Sequence, residues 1–181
     1  VLRATRDGKS VLLTAPTGGG KTLAGFLPSL CDLIANVGDV GWETRLHTLY
    51  LSPLKALAVD VRRNLEEPIA EMDLPIRVET RTGDTPQARR QRQRKSPPHI
   101  LLTTPEQLAL LLSYQDAGRY FRHLRYVVID ELHALAPNKR GDLLALGLAR
   151  LAALAPSARQ IGLSATVAAP DQMASFLNCA G

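Results

Sequence analysis

The stretch Ala15-Pro16-Thr17-Gly18-Gly19-Gly20-Lys21-Thr22 constrains this chain more than any other. The apolar run Val11-Leu12-Leu13 leads into it, and the helix-compatible run Leu23-Ala24-Gly25-Phe26-Leu27 leads out. Strand, glycine-rich loop, Lys-Thr and helix is the order that a phosphate-binding loop needs. Glycines let backbone N–H groups curl around phosphates, and a helix N-terminus adds its positive end. The lysine of such a loop reaches the β- and γ-phosphates, and the threonine hydroxyl can hold Mg²⁺. The strict pattern wants glycine where this chain has Ala15. A glycine-rich turn between strand and helix is the plainer alternative. The motif with its flanks favours a nucleoside triphosphate, with Thr17, Gly18, Gly19, Gly20, Lys21 and Thr22 as the binding residues.

Downstream, apolar segments of strand length alternate with helix-length segments. Ser10–Thr14, His47–Ser52, Ile76–Thr80, Ile100–Thr103, Leu124–Ile129 and Gln160–Leu163 read as strands. The helix from Lys21 carries Leu23, Phe26, Leu27, Leu30 and Ile34 at spacings near three and four, with Pro28 expected to kink or shorten it. A second helix carries Leu57, Val61, Leu65 and Ile69. Others cover Glu106–Leu112, opened by Thr104-Pro105, then Asp142–Leu154 and Asp171–Leu177. Val1–Asp7 reads as the last turn of a helix, so the chain looks cut at its N-terminus. The alternation predicts an α/β fold with a mostly parallel sheet and helices on both faces. Ligands in such sheets sit at the carboxyl ends of the strands. Gly18–Thr22, Ser52-Pro53, Thr103–Pro105, Asp130-Glu131 and Ser164–Thr166 all fall at strand ends, hence on one rim.

Composition closes off other classes. At 181 residues and 45% hydrophobic, the chain is large enough for one sizeable core. The formal charge of +5 favours polyanionic partners, with a solvated basic surface as the plain alternative. Cys31 and Cys179, with His47, His99, His123 and His133, show no metal-ligand spacing, so unpaired thiols and a reducing, cytoplasmic location are expected. No stretch is long and apolar enough to span a membrane. The run Arg89–Lys95 is either a solvated helix face or a contact to a nucleic-acid backbone. Asp130-Glu131-Leu132-His133 follows the buried-type run Val127-Val128-Ile129. A carboxylate placed there beside a phosphate loop can hold Mg²⁺, and its neighbour can polarise water.

Taken together, Ala15–Thr22, Asp130–His133 and Ser164-Ala165-Thr166 resemble motifs I, II and III of a superfamily 2 helicase of the DEXH type. Ser52–Ala58 and Thr103–Leu108 resemble motifs Ia and Ib of the large helicase-related (Lhr) family. Arg81–Thr85 and Asn138–Asp142 also look like that family. The whole run is similar to its ligase-associated branch, found in bacteria and tied to DNA repair. The resemblance implies a three-layer RecA-like fold over residues 1–181: the N-terminal, ATP-binding lobe of a longer protein whose second lobe is absent. It implies ATP with Mg²⁺ as cofactors. Lys21 contacts phosphates, Thr22 and Asp130 hold the metal, Glu131 acts on water, and His133, Ser164 and Thr166 couple nucleotide state to the strand. It places Pro53, Lys55, Thr82, Gly83, Thr104 and Pro105 against a single strand's sugar-phosphate backbone.

The implied activity is ATP-driven helicase or translocase action, 3′-to-5′ on single-stranded DNA in repair. RNA and RNA–DNA hybrid stay open as substrates, and the isolated lobe is expected to be nearly inactive. Two departures stand out. Gly19 occupies a position where the family usually has Ser or Ala, and the adenine-reading glutamine motif is missing or lies upstream of Val1. The rival reading is a non-motor P-loop nucleotide-binding or kinase-like module, which has no need of motifs Ia, Ib and III.

Overall fold

In the computed structural model, residues 1–16, 20–39, 42, 45–166 and 170–178 are described. Among the described residues, six strands form one sheet: β1 (Val11–Thr14), β2 (Thr48–Leu51), β3 (Val78–Arg81), β4 (Ile100–Thr103), β5 (Tyr126–Ile129) and β6 (Arg159–Ser164). Their order is β1-β6-β5-β2-β4-β3, and every pairing is parallel. Parallel pairing puts all carboxyl ends on one edge. The connections carry α1 (Leu2–Arg6), α2 (Lys21–Ala35), α3 (Lys55–Glu71), α4 (Gln87–Lys95), α5 (Pro105–Leu112), α6 (Ala117–Phe121), α7 (Leu132–Leu135), α8 (Lys139–Leu154) and α9 (Pro170–Asn178).

Alternation along the strands splits the core into two layers. Leu49, Leu51, Leu101, Val127 and Ile129 pack with residues of α5 to α9 on one face. Tyr50, Ile100, Leu102, Tyr126 and Val128 pack with Phe26, Leu33, Val61, Leu65 and Ile69 of α2 and α3 on the other. The three-layer α/β/α arrangement expected from the sequence is therefore present. The short helices α6 and α7 lack a legible period and were not expected.

Two expectations about α2 need correcting. Pro28 does not shorten the helix, which runs through it for 15 residues with Pro28 buried. Apolar packing of Phe26 and Leu33 on the sheet outweighs the one backbone bond that proline removes. The buried stripe is also not the expected one, because Leu23, Leu27 and Ile34 are exposed. The helix is turned so that Gly25 faces the sheet, where an added Cβ would lie 2.9 Å from Leu163 Cδ2. The absent side chain allows the close approach that sets the rotation.

The Arg89–Lys95 run forms α4, which is anchored at the sheet's β3 edge by ionic contacts. Arg89 and Arg92 pair with Glu79 at 3.2 and 2.9 Å, and buried Gln93 donates to the same carboxylate at 3.0 Å. Partial burial pushes the Glu79 carboxyl up, but Gln93, Arg89 and Arg92 outweigh it and hold the group below its ordinary range. Arg94 pairs with Asp116 at 2.7 Å and lies 3.9 Å over the Tyr114 ring. Much of this run is therefore spent inside the fold.

At the opposite, amino edge of the sheet, His99 is a buried tie. Its carbonyl accepts from the His47 and Thr48 amides at 3.0 and 2.9 Å. Its Nδ1 accepts from the Arg77 amide at 2.9 Å, so the ring proton is on Nε2, which donates to the Trp42 carbonyl at 2.8 Å. Burial lowers the His99 pKa from 6.5 to about 4, against the opposing hydrogen bond to Trp42 and with the charge of Arg77 and Arg45 adding to the effect. Burial likewise lowers His47 and, with Arg122, His123. Such rings bind protons more readily in the unfolded chain. Stability is thus intact above about pH 6.5 and is lost as pH falls toward about 4. Urea midpoints taken between pH 7 and pH 4.5 are expected to fall, with His99 contributing ~2–3 kcal/mol. His99→Gln, less stable at neutral pH, is expected to flatten that profile.

Candidate active site and strand-binding rim

The carboxyl edge is one rigid line because hydrogen bonds continue past the strands. Ala15 N–H donates to the Ser164 carbonyl at 3.3 Å, Asp130 N–H to Leu51 at 2.8 Å and Ser52 N–H to Thr103 at 3.0 Å. The Thr103 hydroxyl closes the series by donating to the Arg81 carbonyl at 2.7 Å. At these four junctions one strand end positions the next, and between β6 and β5 the tie is made by the His133 side chain instead.

One half of the rim lies at the ends of β1, β6 and β5. Thr17, Gly18 and Gly19 fall outside the described residues. Gly20 caps α2 in a left-handed conformation, φ 69°, which glycine adopts without strain. Lys21 opens the helix, is 8% exposed, and its Nζ donates to the Ala15 and Pro16 carbonyls at 2.7 and 2.9 Å. The amine is thus held against the two residues that directly follow β1. Thr22 follows on the first turn of α2.

Asp130, 6% exposed, directly follows β5. Its Oδ1 accepts from the Glu131 amide at 2.9 Å, and its Oδ2 accepts a short hydrogen bond from the Tyr50 hydroxyl. Burial, then the Asp130 charge, drives the Tyr50 phenol far above its ordinary pKa, so it acts only as a donor here. Glu131 adopts a left-handed backbone, φ 47° and ψ 44°. That conformation is uncommon for a residue with a side chain and marks a local constraint. The turn it makes starts α7 and brings His133 back toward β6. His133 Nδ1 accepts from the Ala165 amide and from the Ser164 hydroxyl, both at 3.2 Å. An amide can only donate, so the ring proton sits on Nε2, which faces Glu131 Oε2 at 3.3 Å. Asp130, Glu131, His133 and Ser164 are one connected cluster. Thr166, at the same strand end, is exposed and makes no side-chain hydrogen bond among the described residues.

The other half of the rim lies at the ends of β2, β4 and β3. Pro53 and Lys55 follow β2, and Lys55 Nζ pairs with the Asp84 carboxylate at 2.8 and 2.9 Å while half exposed. Thr82 and Gly83 form a turn after β3. Thr82 N–H donates to Thr85 Oγ1 at 2.9 Å, and Arg90 binds the Thr82 and Gly83 carbonyls at 3.2 and 2.5 Å. Thr104 is the extended N-cap of α5 with Pro105 at the first helical position, so Pro105 also serves the helix start. The two groups of residues expected at the site are thus adjacent segments of one edge.

Two side chains that hold this rim together were not singled out from the sequence as site residues. Tyr50 looks like any core aromatic in an apolar strand. Arg140 lies within Asn138–Asp142, whose family likeness was the available signal. Its guanidinium grips Glu106 at 2.5 and 3.1 Å and the Pro53 carbonyl at 2.7 Å, joining the segments after β2 and β4. Partial burial raises the Glu106 carboxyl, but Arg140 and Thr104 outweigh it and hold it below the ordinary range. Asn138 caps α8 by accepting from Arg140 N–H at 2.9 Å, and Gly141 lets the helix start against α7. A Cβ at Gly141 would stand 2.5 Å from the Leu135 carbonyl oxygen and 2.6 Å from that of Ala136.

Backbone cannot yield as a side-chain tip can, so Gly141→Ala is expected to cost ~2–3 kcal/mol, read as a lower urea midpoint with unchanged slope. Tyr50→Phe is expected to cost ~1–2 kcal/mol, because it leaves the buried Asp130 carboxylate one donor short.

Comparison with known proteins agrees with this geometry. Residues 1–174 match the DEAD/DEAH box helicase family. The chain is 46% identical over 180 residues to the ATP-dependent helicase Lhr-Core protein 2 of Thermococcus barophilus, covering 94% of this chain and 21% of that protein. It superposes on the Mycobacterium smegmatis helicase Lhr bound to ssDNA and AMP-PNP with a TM-score of 0.84 at 44% identity, covering 97% of this chain and 23% of that one. It also matches the DUF1998 helicase MrfA bound to DNA and AMPPNP, with a TM-score of 0.82 at 32% identity over 97% of this chain and 24% of that one. The chain thus spans about a fifth of the length of the curated relative it matches. On its matched length and on the strand-end constellation, the chain belongs to the DEAD/DEAH box helicase family, with high identity to the Lhr helicases.

Proposed function

We propose that this chain is the ATP-binding lobe of an ATP-driven nucleic-acid helicase or translocase, acting 3′-to-5′ on single-stranded DNA in repair. Its motif likeness to the ligase-associated branch belongs to the same proposal. The observation that carries the reading is the connected cluster Glu131–His133–Ser164 beside Lys21, on the same edge as the segments after β2, β4 and β3, where Lys55 and Gly83 are exposed. A kinase-like module needs the first of these and not the second. The AMP-PNP and DNA held by the solved relatives support a nucleoside triphosphate and a nucleic-acid strand as ligands here.

In this reading Lys21 exchanges its two carbonyl partners for phosphate oxygens. The Thr22 hydroxyl and the Asp130 carboxylate would hold Mg²⁺. A hydroxyl and one carboxylate suit that ion, which fills its remaining positions with phosphate and water and offsets phosphate charge. Tyr50 keeps Asp130 oriented. Glu131 orients and polarises the attacking water, and its contact with the His133 Nε2–H makes its position sensitive to β6 through Ser164 and Ala165. Thr166 lies on the same strand end and joins this coupling. Along the rim, Lys55 and the groups of Pro53, Thr82, Gly83, Thr104 and Pro105 grip sugar and phosphate. Such contacts hold a strand without reading its sequence, as stepping requires. Arg140 keeps two of these segments at fixed separation.

A second lobe would bring an arginine to the γ-phosphate. Its loss typically costs ~10³–10⁵ in rate, so this chain alone is expected to bind ATP–Mg²⁺ weakly and turn it over very slowly. Robust DNA-stimulated hydrolysis by residues 1–181 alone would overturn the one-lobe reading. In the full chain, Lys55→Ala is expected to weaken single-stranded DNA binding and lower its salt slope while leaving ATP affinity unchanged. No change in DNA affinity would favour the non-motor module.

A further inference from the structure

The amino edge of the sheet, opposite the rim, carries a concave basic surface with no part in the site above. A cavity of about 720 Å³ is lined there by Arg45, Arg94, Lys95, Arg119 and Arg122. Arg45 and Arg122 also line a smaller one of about 170 Å³, which adds Arg125. Two of the acids nearby are matched by arginine: Asp116, which also lines the larger cavity, pairs with Arg94 at 2.7 Å, and Asp39 pairs with Arg45 at 3.6 Å. Asp32, which lines the smaller cavity, is hydrogen-bonded to the His47 ring at 2.9 Å. Lys95, Arg119, Arg122 and Arg125 are exposed and make no side-chain hydrogen bond or ion pair among the described residues. The crowding of like charge is felt locally, since Arg122, Arg45 and Arg125 all add to the lowering of His123 by burial.

Gathering uncompensated guanidinium groups around a hollow costs free energy through mutual repulsion, and a bound polyanion removes that cost. Guanidinium forks match phosphate oxygens bidentately and are weakly hydrated, which favours phosphate over other anions. The strands between the two edges are four residues long at β2, β4 and β5. That separates the basic surface from the rim by about 13 Å of strand alone. The nucleotides gripped at the rim therefore cannot also fill this hollow.

We propose that Lys95, Arg119, Arg122 and Arg125, with the hollow they border, form a second contact for the phosphodiester backbone of the nucleic acid being worked on, away from the rim. The inference rests on the chain being a nucleic-acid motor lobe. The same phosphate chemistry is offered by a single-stranded tail and by the duplex ahead of the motor, and the test separates them.

In the full chain, the triple variant Arg119→Gln/Arg122→Gln/Arg125→Gln is compared with wild type by fluorescence anisotropy. The probes are a short DNA strand just long enough for the rim, a long DNA single strand, and a duplex with a short single-stranded tail. Short-strand affinity is expected to stay within about twofold. Affinity for one or both longer probes is expected to fall by ~10-fold or more, with the salt slope reduced by about 2. Loss on the long strand assigns the surface to the tail, and loss on the tailed duplex assigns it to the duplex. Unchanged affinity and slope on every probe would overturn the proposal, as would an equal loss on the short strand. So would a change in sedimentation of the protein without DNA, which would mean that another part of the full chain covers the surface. A wild-type chain that fails to bind the short strand counts against the motor reading instead. The substituted side chains are solvent-facing, and Lys95→Gln/Arg119→Gln provides a second variant with the same expected pattern.

Discussion

Everything functional in this chain depends on the parallel ladder and its continuation past the strand ends. Backbone groups left over at the end of a parallel strand must find partners or water. Here they bond to the next strand's end: Ala15 to Ser164, Asp130 to Leu51 and Ser52 to Thr103. The arrangement turns six separate loop starts into one edge with fixed spacing. Loops carry function well when a rigid scaffold positions them.

The two halves of that edge are held by different means. On the β1-β6-β5 side, buried and half-buried polar groups are satisfied by each other. Lys21 spans two carbonyls, Tyr50 serves Asp130, and the His133 ring stands between Glu131 and β6. In a low-dielectric setting such contacts have defined geometry and are costly to leave half-made. On the β2-β4-β3 side the ties are exposed ion pairs and grips on carbonyls by Arg90 and Arg140. Exposed pairs of this kind contribute little to stability individually. Their use is to keep segments in place through contacts that open readily, and half-exposed Lys55 is held in the same way by Asp84. A rim that must grip and release suits the second kind of bond, and a site that positions a phosphate suits the first.

Charge distribution shows why composition alone misleads. The dense run Arg89–Lys95 looks like a binding patch, yet Arg89, Arg92 and Arg94 close on Glu79 and Asp116, which lie 10 to 22 residues away in sequence. Arg119, Arg122 and Arg125 are spaced apart in sequence and attract no notice, yet Arg119 and Arg122 meet Lys95 in one cavity at the amino edge and Arg125 joins Arg122 in the next. Which cations are spent and which are free is decided by the partners that folding supplies.

The sequence by itself determined the strand–helix alternation, hence the parallel sheet, and the fact that its chemistry-bearing residues sit at strand ends. Those features are local: apolar runs of strand length, a glycine-rich loop, and paired acids directly after Ile129. It could not determine the rotation of α2, where Gly25 and not the spacing of leucines selects the buried face. Nor could it reveal that Tyr50 serves Asp130, that Arg140 clamps Pro53 to Glu106, or that the His133 ring joins β5 to β6. Each of these is a contact between segments 31 to 87 residues apart. Local propensity cannot encode such pairs. They exist because the order β1-β6-β5-β2-β4-β3 makes neighbours of strands that are distant in the chain.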